Sequence, residues 1–198
     1  DKDTSGLLVV AKDDATHIGL SQQMAVHSVE RAYNTIVYGG FAQDEGFVET
    51  NLGRSKTDRK KMAVYPASEP HTKYAYTGYR VLERFGYTTL VECVLETGRT
   101  HQIRAHMKHI GHPLFMDETY GGAEILRGQR SSSYKAFIQN CFKLCPRQAL
   151  HAKTLGFVHP TTQQQMDFDS EWPDDFRKLI EKWRGFIAGT TQDTFQTK

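Results

Sequence analysis

The segment over residues 98–106, Gly-Arg-Thr-His-Gln-Ile-Arg-Ala-His, is the densest group of side chains able to do chemistry. If Thr100 caps a helix that begins here, His101 and Arg104 lie on one face of that helix. A glycine ahead of a helix lets another backbone approach closely, and the free N–H groups of the first turn bind anions. The spacing therefore indicates either a phosphate-binding turn or a solvated helix whose arginine pairs with a structural carboxylate.

A second group is the basic stretch over residues 54–61, which holds five basic residues and one acidic residue, for a local net charge of +4. The basic residues are Arg54, Lys56, Arg59, Lys60 and Lys61. Because the whole chain carries a formal net charge of +2, the other residues together carry −2, so basic charge is concentrated here. Such a patch is typical of a protein that binds a phosphate backbone. A loop that only maintains solubility is the alternative.

Two carboxylates, Asp1 and Asp3, stand immediately before Thr4-Ser5-Gly6 and an apolar run. A carboxylate at the edge of a strand can act as a nucleophile, as a general base or as a residue that shapes a turn. The residue types alone leave these three roles open, so both aspartates are candidates for chemistry at this stage.

The histidines and cysteines show no metal-binding spacing. The nine histidines form neither a His-Glu-x-x-His motif nor a Cys/His knuckle, so we expect no structural or catalytic metal. The cysteines, Cys93, Cys141 and Cys145, are odd in number and lack paired Cys-x-x-Cys motifs. This usage indicates packing roles and a reducing compartment, the cytoplasm.

Length and composition bound the class of protein. A chain of 198 residues with 38% hydrophobic and 24% charged residues is globular, which excludes a disordered or fibrous protein. No apolar run approaches the roughly 18 residues that a membrane span requires, so we expect no membrane association. We predict one domain over residues 1–188 and a polar tail over 189–198. Because the chain opens directly on a strand-like run, we expect it to be part of a longer protein.

The elements that must position these residues are strands and helices in irregular order, which is typical of an α+β fold. The apolar run over residues 7–11 predicts a buried strand, and residues 32–38 predict a second strand. Residues 41–70 predict loops with short strands because they are rich in glycine and proline and lack periodicity. Two β-rich runs, 72–82 and 87–96, predict a hairpin around a Phe-Gly turn.

Helices are predicted from caps and apolar periods. An acidic cap at Asp13 precedes an apolar period that continues to about Val26. A helix over residues 101–110 ends at a glycine, and residues 149–155 predict a short helix or turn. Residues 172–175, Trp-Pro-Asp-Asp, predict the start of a final amphipathic helix.

Several segments together resemble the RluA-type pseudouridine synthases. Residues 1–12 resemble the family's Asp-x-x-Thr-Ser-Gly signature, without the His-Arg-Leu that precedes it in the family. Arg31-Ala32-Tyr33 resembles the basic-x-Tyr motif, with arginine where lysine is common. Further matches, in the family's order, are residues 97–104, 109–114, 117–121, 150–152 and 157–160. Residues 58–64 resemble a stretch common in members that act on ribosomal RNA.

The resemblance assigns roles to individual residues. Asp1 corresponds to the catalytic aspartate, and Tyr33 to the tyrosine that stacks on the target base and takes part in catalysis. Arg104 corresponds to the arginine that pairs with the catalytic aspartate, which we expect within about 4 Å of Asp1 in a bidentate pair. Leu150 corresponds to the apolar residue that packs beside the tyrosine. The remaining expected substrate-binding residues are Arg99, His101 and the five basic residues of the basic stretch.

The resemblance also implies a fold and a function. The fold is a mostly antiparallel mixed sheet in two halves, with surrounding helices and a central RNA-binding cleft. The function is isomerisation of uridine to pseudouridine in RNA, ribosomal rather than transfer RNA, by a monomer without cofactor. The carboxylate can attack C1′, attack C6 of the ring, or remove the 2′ proton, and these routes stay open. A non-catalytic RNA-binding module that retains the fold is the alternative.

Overall fold

Eight strands form one sheet in the computed structural model, which describes residues 1–195 and their side chains through residue 189. The strands are β1 (Ser5–Gly6), β2 (Glu30–Tyr38), β3 (Glu45–Arg54), β4 (Met62–Tyr65), β5 (Lys73–Arg84), β6 (Thr88–Leu95), β7 (Leu150–Val158) and β8 (Gln165–Asp169). The helices are α1 (Asp14–Ala25), α2 (Gln102–His109), α3 (Ser132–Leu144) and α4 (Asp174–Phe195).

The sheet order is β1-β7-β2-β6-β5-β3-β4, with β8 paired to β7. Among the described residues every pairing is antiparallel except that of β1 with β7. This mixed, mostly antiparallel sheet with four helices confirms the α+β prediction. It also confirms the hairpin of β5 and β6 and the strand predicted over residues 32–38.

Two apolar clusters cover opposite faces of the sheet. Ile36 and Val37 are successive residues of β2, so their side chains point to opposite faces. Ile36 belongs to the cluster under α3 and α4, in which Trp183 is fully buried. Val37 belongs to the cluster under α2, which also contains Ile103 and Leu150. The second cluster forms the floor of the site described below.

The strand predicted over residues 7–11 is wrong, since β1 ends at Gly6. Leu8 and Val10 are 84% and 72% exposed, whereas Leu7 and Val9 pack against an apolar cluster formed by α1, β7 and the residue before β2. The reason lies in the neighbour strand: β8 pairs with residues 154–158 of β7, the edge that a longer β1 would need. Only the first two positions beside His151 and Ala152 accept β1.

Residues 41–70, predicted as loops with short strands, contain the four-residue strand β4 and also a ten-residue strand, β3, which aligns with β5 from Glu45 to Leu52. Its two glycines hid it from the sequence pattern. Gly46 is required by packing, because a Cβ at this position would lie 2.4 Å from the Tyr79 hydroxyl of β5. The helix or turn predicted over residues 149–155 is also wrong. All of these residues except Ala149 belong to β7, which is held as a strand by β2 on one side and by β1 and β8 on the other.

Helix predictions hold at both ends of the chain. Asp13 caps α1 by accepting a hydrogen bond from the Thr16 N–H at 2.8 Å. Helix α4 begins at Asp174 as expected but continues through Phe195, so most of the predicted tail is helical and residues 196–198 lie outside the described part. Helix α3, buried on one face, was not predicted. Among the described helices, none has the length and apolar content to cross a membrane.

Candidate active site

Asp1, Tyr33 and Leu150 line one cavity of about 370 Å³, although 149 positions separate the first from the last. Strand β7 explains the convergence, because it lies between β1 and β2. Ser5 pairs with His151, and Tyr33 pairs with Ala152, so both chain segments meet at the start of β7. The structure thus brings together three of the residues that the sequence selected.

Arg104, the fourth of these residues, is buried on α2 and does not line this cavity, but it approaches the Asp1 carboxylate. Its Nη1 lies 3.6 Å from Oδ2 of Asp1, within the expected distance of an ion pair. The expected bidentate geometry is wrong, however. Arg104 makes its two hydrogen bonds to Asp117, from Nε to Oδ2 at 2.7 Å and from Nη2 to Oδ1 at 2.9 Å.

Asp117 is fully buried and binds a second group besides Arg104. Its Oδ1 also accepts the backbone N–H of Tyr120 at 3.0 Å, so the carboxylate is hydrogen-bonded on both oxygens. A buried carboxylate without such partners would carry a large desolvation cost. The pair therefore fixes the plane of the Arg104 guanidinium, and the remaining nitrogen is directed to Asp1.

The start of α2 differs from the prediction. Thr100 does not cap the helix; His101 occupies the cap position in a left-handed conformation, with φ of 53° and no side-chain cap hydrogen bond. Gln102 instead stabilises the turn that precedes the helix, because its Oε1 accepts the Arg99 N–H at 2.9 Å and the Thr97 hydroxyl at 2.8 Å. His101 and Arg104 nevertheless lie on the same side of the helix start, as predicted, and both face Asp1.

His101 is a neutral side chain in this site. Burial, together with the positive charge of Arg104, lowers the pKa of His101 to about 4. Its Nε2 lies 3.9 Å from Oδ1 of Asp1, and because the ring is uncharged near neutral pH this contact is not an ion pair. Its Nδ1 lies 3.0 Å from the hydroxyl of Tyr120.

The Tyr120 hydroxyl sets the tautomer of His101. It accepts the backbone N–H of Met62 at 2.8 Å, which leaves its own proton for Nδ1 of His101. The proton of the imidazole is then on Nε2, the nitrogen that faces Asp1. The ring of Tyr120 also lies under the Arg104 guanidinium, 5.0 Å from ring centre to carbon.

Tyr33 is half-buried and contacts the cluster that contains Leu150. Burial raises the pKa of Tyr33, and the nearby Arg31 partly offsets that shift. The phenol therefore stays protonated at neutral pH. Its ring borders the cavity, which is the position required for stacking on an extruded base.

The basic stretch forms the exposed connection between β3 and β4 and does not line the cavity. Lys56 pairs with Glu69 at 2.6 Å, and Lys61 lies 3.6 Å from Asp58. Arg59 and Lys60 have no acidic partner within residues 1–189 and are fully available to an anionic ligand. Met62, which follows the stretch, is the residue that Tyr120 contacts, so the stretch is tied directly to the site.

Metal and thiol chemistry find no support in the geometry. Within residues 1–189 no three His, Cys, Asp or Glu side chains are grouped as they would be around a metal ion. The cysteines are buried free thiols, as expected for packing residues, and burial raises the pKa of Cys145 to about 11.

The comparison with known proteins decides the family. A model of the RNA pseudouridylate synthase family matches residues 1–109, more than half of the chain. The chain belongs to the RNA pseudouridylate synthase family. The Asp-x-x-Thr-Ser-Gly and Gly-Arg-x-His-Gln-Ile-Arg segments both lie within the matched range.

Relatives extend the match to most of the chain. It is 44% identical, over 94% of its length, to an uncharacterized RNA pseudouridine synthase of Chlorobaculum parvum. It is 45% identical, over 91% of its length, to ribosomal large subunit pseudouridine synthase D of Zymomonas mobilis. The chain spans 57% and 53% of these two proteins, so about half of each. The solved human RNA pseudouridylate synthase domain containing 4 shares the fold, with a TM-score of 0.69 and 22% identity over 93% of this chain and 73% of that one.

Sequence reasoning missed two residues of this site, Asp117 and Tyr120. Both lie in residues 117–121, a segment that contributes to the family resemblance but carries no assigned role there. One signal was available, since a buried arginine requires a carboxylate and Asp117 is the next one along the chain after Arg104. No pattern in the sequence pointed to the Tyr120 hydroxyl.

Proposed function

We propose that the protein isomerises uridine to pseudouridine in RNA, with Asp1 as the catalytic carboxylate. The observation that supports this function is the cavity in which Asp1 lies with Tyr33 and Leu150 while Arg104 contacts the same carboxylate at 3.6 Å. The reaction breaks the N1–C1′ bond, turns the uracil and joins C5 to C1′. The proton lost from C5 is balanced by one gained at N1, so no redox partner or cofactor is needed.

Each residue has a physical task in this scheme. The target uridine leaves its stack at a cost of a few kcal/mol, and stacking on Tyr33 returns about 1–3 kcal/mol. Leu150 belongs to the apolar cluster against which Tyr33 packs, and this packing would support the ring in the stack. Arg104 orients Asp1, which supplies the carboxylate for attack at C1′, attack at C6 or removal of the 2′ proton.

We infer that the substrate is ribosomal RNA of the large subunit. Two observations support this: the similarity to a relative named ribosomal large subunit pseudouridine synthase D, and the exposed basic stretch beside the site. Arg59 and Lys60, which lack acidic partners among the described residues, would contribute phosphate contacts that do not depend on base sequence. Arg99 and His101 border the cavity and would contact the extruded nucleotide. The buried free thiols fit a reducing compartment such as the cytoplasm.

The test is an assay of the full-length protein on transcripts of large-subunit ribosomal RNA and of transfer RNA. Pseudouridine would be mapped by carbodiimide-dependent stops of reverse transcriptase. We expect Asp1→Asn to abolish product while RNA affinity changes little, because the amide keeps the shape and loses the charge. Asp3→Asn is the matched control, since Asn tolerates the positive φ of 68° at this position, and it should retain most of the activity.

Two outcomes would contradict the proposal. If the Asp1→Asn variant kept a tenth of the wild-type rate, the catalytic residue would be a residue other than Asp1. A wild-type protein that bound RNA tightly and formed no pseudouridine in any transcript would instead be the non-catalytic module.

A further inference from the structure

Arg31 is half-buried and differs from the other arginines beside the site in having no partner. Its side chain makes no hydrogen bond or ion pair within residues 1–189, and its Nε is buried without an acceptor. Arg104 and Arg147, in contrast, each make bidentate pairs, with Asp117 and Asp175. Burial lowers the pKa of Arg31, and the nearby Tyr33 partly offsets that shift.

Its position places Arg31 in the active site. Arg31 and Tyr33 are two residues apart on β2, so they share a face of the sheet, and both border the cavity of Asp1. Asp1 does not neutralise Arg31: the carboxylate is contacted by Arg104 and His101. The cavity therefore contains a positive charge that no described group of the protein matches.

The surrounding backbone is shaped to admit this guanidinium. A Cβ on Gly98 would lie 2.3 Å from Nη1 of Arg31, so any larger residue at position 98 would displace the side chain. Gly98 has no unusual φ that would itself call for glycine. Glycine is therefore needed at position 98 because a side chain there would collide with the Arg31 guanidinium.

An unpaired planar guanidinium with five donors favours an anion that accepts two hydrogen bonds, a phosphate or a carboxylate. We propose that Arg31 binds a backbone phosphate of the substrate RNA beside the nucleotide whose base stacks on Tyr33. The proposal rests on the function proposed above, which supplies a polyanionic substrate to this cavity. Two residues of a strand span about 6.6 Å, a separation that a single nucleotide bridges from base to phosphate.

This role predicts opposite effects on stability and on substrate binding. The desolvated charge costs folding free energy that is recovered only when a phosphate is bound. Arg31→Met keeps the length and apolar stem of the side chain and removes the charge. We expect a melting temperature raised by about 2–4 °C, which corresponds to about 1 kcal/mol in a chain of this size. We expect KM for RNA to rise about tenfold. The salt slope, which is the slope of the logarithm of RNA affinity against the logarithm of salt concentration, should become shallower by about 0.7–0.9.

Two further variants make the test specific. Arg31→Lys keeps the charge and should keep the salt slope, with a smaller loss of affinity. Arg80→Met is the matched control, because Arg80 pairs with Glu92 at 2.8 Å on the opposite face of the sheet from Tyr33. It should leave the KM for RNA unchanged and should not raise the melting temperature.

The outcomes separate this inference from the proposed function. An Arg31→Met protein with a lower melting temperature and unchanged salt slope would show a structural arginine and overturn the inference, even if wild type formed pseudouridine. If wild type formed none, direct RNA binding would still decide: a weaker, less salt-dependent complex for Arg31→Met would support the phosphate site while the proposed function failed.

Discussion

Arg104 and Asp117 form a buried bidentate pair, with bonds of 2.7 and 2.9 Å, and the third nitrogen of the guanidinium lies 3.6 Å from Asp1. The arginine therefore connects a structural carboxylate to the proposed catalytic one. Its orientation toward Asp1 depends on a residue that does not line the cavity of Asp1. The pair thus links the stability of the fold to the geometry of the site.

Asp117→Asn should destabilise the protein strongly. Removal of one partner of a buried ion pair leaves the Arg104 charge uncompensated, at a typical cost of about 3–5 kcal/mol. Asp174→Asn is the control, because the pairs of Asp174 with Arg177 and Lys178 are exposed and screened by solvent, so their loss should cost little stability. Chemical denaturation would measure both. Equal losses in the free energy of unfolding for the two variants would show that the buried pair stabilises the fold no more than the exposed one.

Tyr120→Phe should lower kcat more than it raises KM. Without the hydroxyl, the Met62 N–H and Nδ1 of His101 have no partner, so the ring proton of His101 is no longer held on the nitrogen facing Asp1. Tyr38→Phe is the matched control, because it removes a hydroxyl that donates to the Glu124 carbonyl at 2.7 Å outside the cavity. Each variant should lose about 1 kcal/mol of stability. A kcat loss shared by both would contradict the positioning role.

Charge reversal in the basic stretch should weaken RNA binding and flatten its salt dependence. Each phosphate that no longer meets a basic side chain should reduce the log–log slope by about 0.7–0.9. We expect Arg59→Glu and Lys60→Glu to act more strongly than Lys56→Glu, because Lys56 already pairs with Glu69 at 2.6 Å. Replacement of Lys178, on α4 over the other face of the sheet, is the control. A slope that stayed constant in every variant would mean that the stretch serves solubility.

Stability should fall as the pH is lowered from about 6.5 to about 4. Burial lowers the pKa of His106 to about 4, as it does for His101, whereas an unfolded histidine titrates near 6.5. In this window the unfolded chain binds more protons than the folded chain, so each histidine contributes a slope of up to about 1.4 kcal/mol per pH unit.

The variant His106→Gln isolates one of these two contributions. Glutamine can still contact Thr50 and Thr77, the hydroxyl partners of the imidazole, but it cannot take up a proton. Denaturation between pH 4 and 7 should show a shallower pH dependence than wild type. His17→Gln, on the exposed surface of α1, should follow the wild-type profile. A His106→Gln profile parallel to wild type would refute the assignment.

The sequence by itself determined the elements whose signals are local, and the residues that chemistry selects by type. The Asp13 cap, the alternation in β2 and the turn between β5 and β6 depend on neighbours a few positions apart, so their patterns predicted α1 and a hairpin correctly. Helix α3 had such a signal as well, since its buried residues are spaced as on one helix face, but the polar residues before it concealed the start.

Only the tertiary structure decided the pairings between distant segments. Strand β7 contains residues with good helix propensity and is a strand because three neighbours bond to it, and β1 is short because β8 occupies the adjoining edge. The partner of Arg104 was settled in the same way. Asp1 and Asp117 both offer a carboxylate, and the one that packs behind α2 in the dry interior takes the bidentate bonds. A buried arginine is stabilised most by a carboxylate that satisfies it with two hydrogen bonds, because both charges have lost their contacts with water. The spacing of residues along the chain does not show which carboxylate the fold will bring to that position.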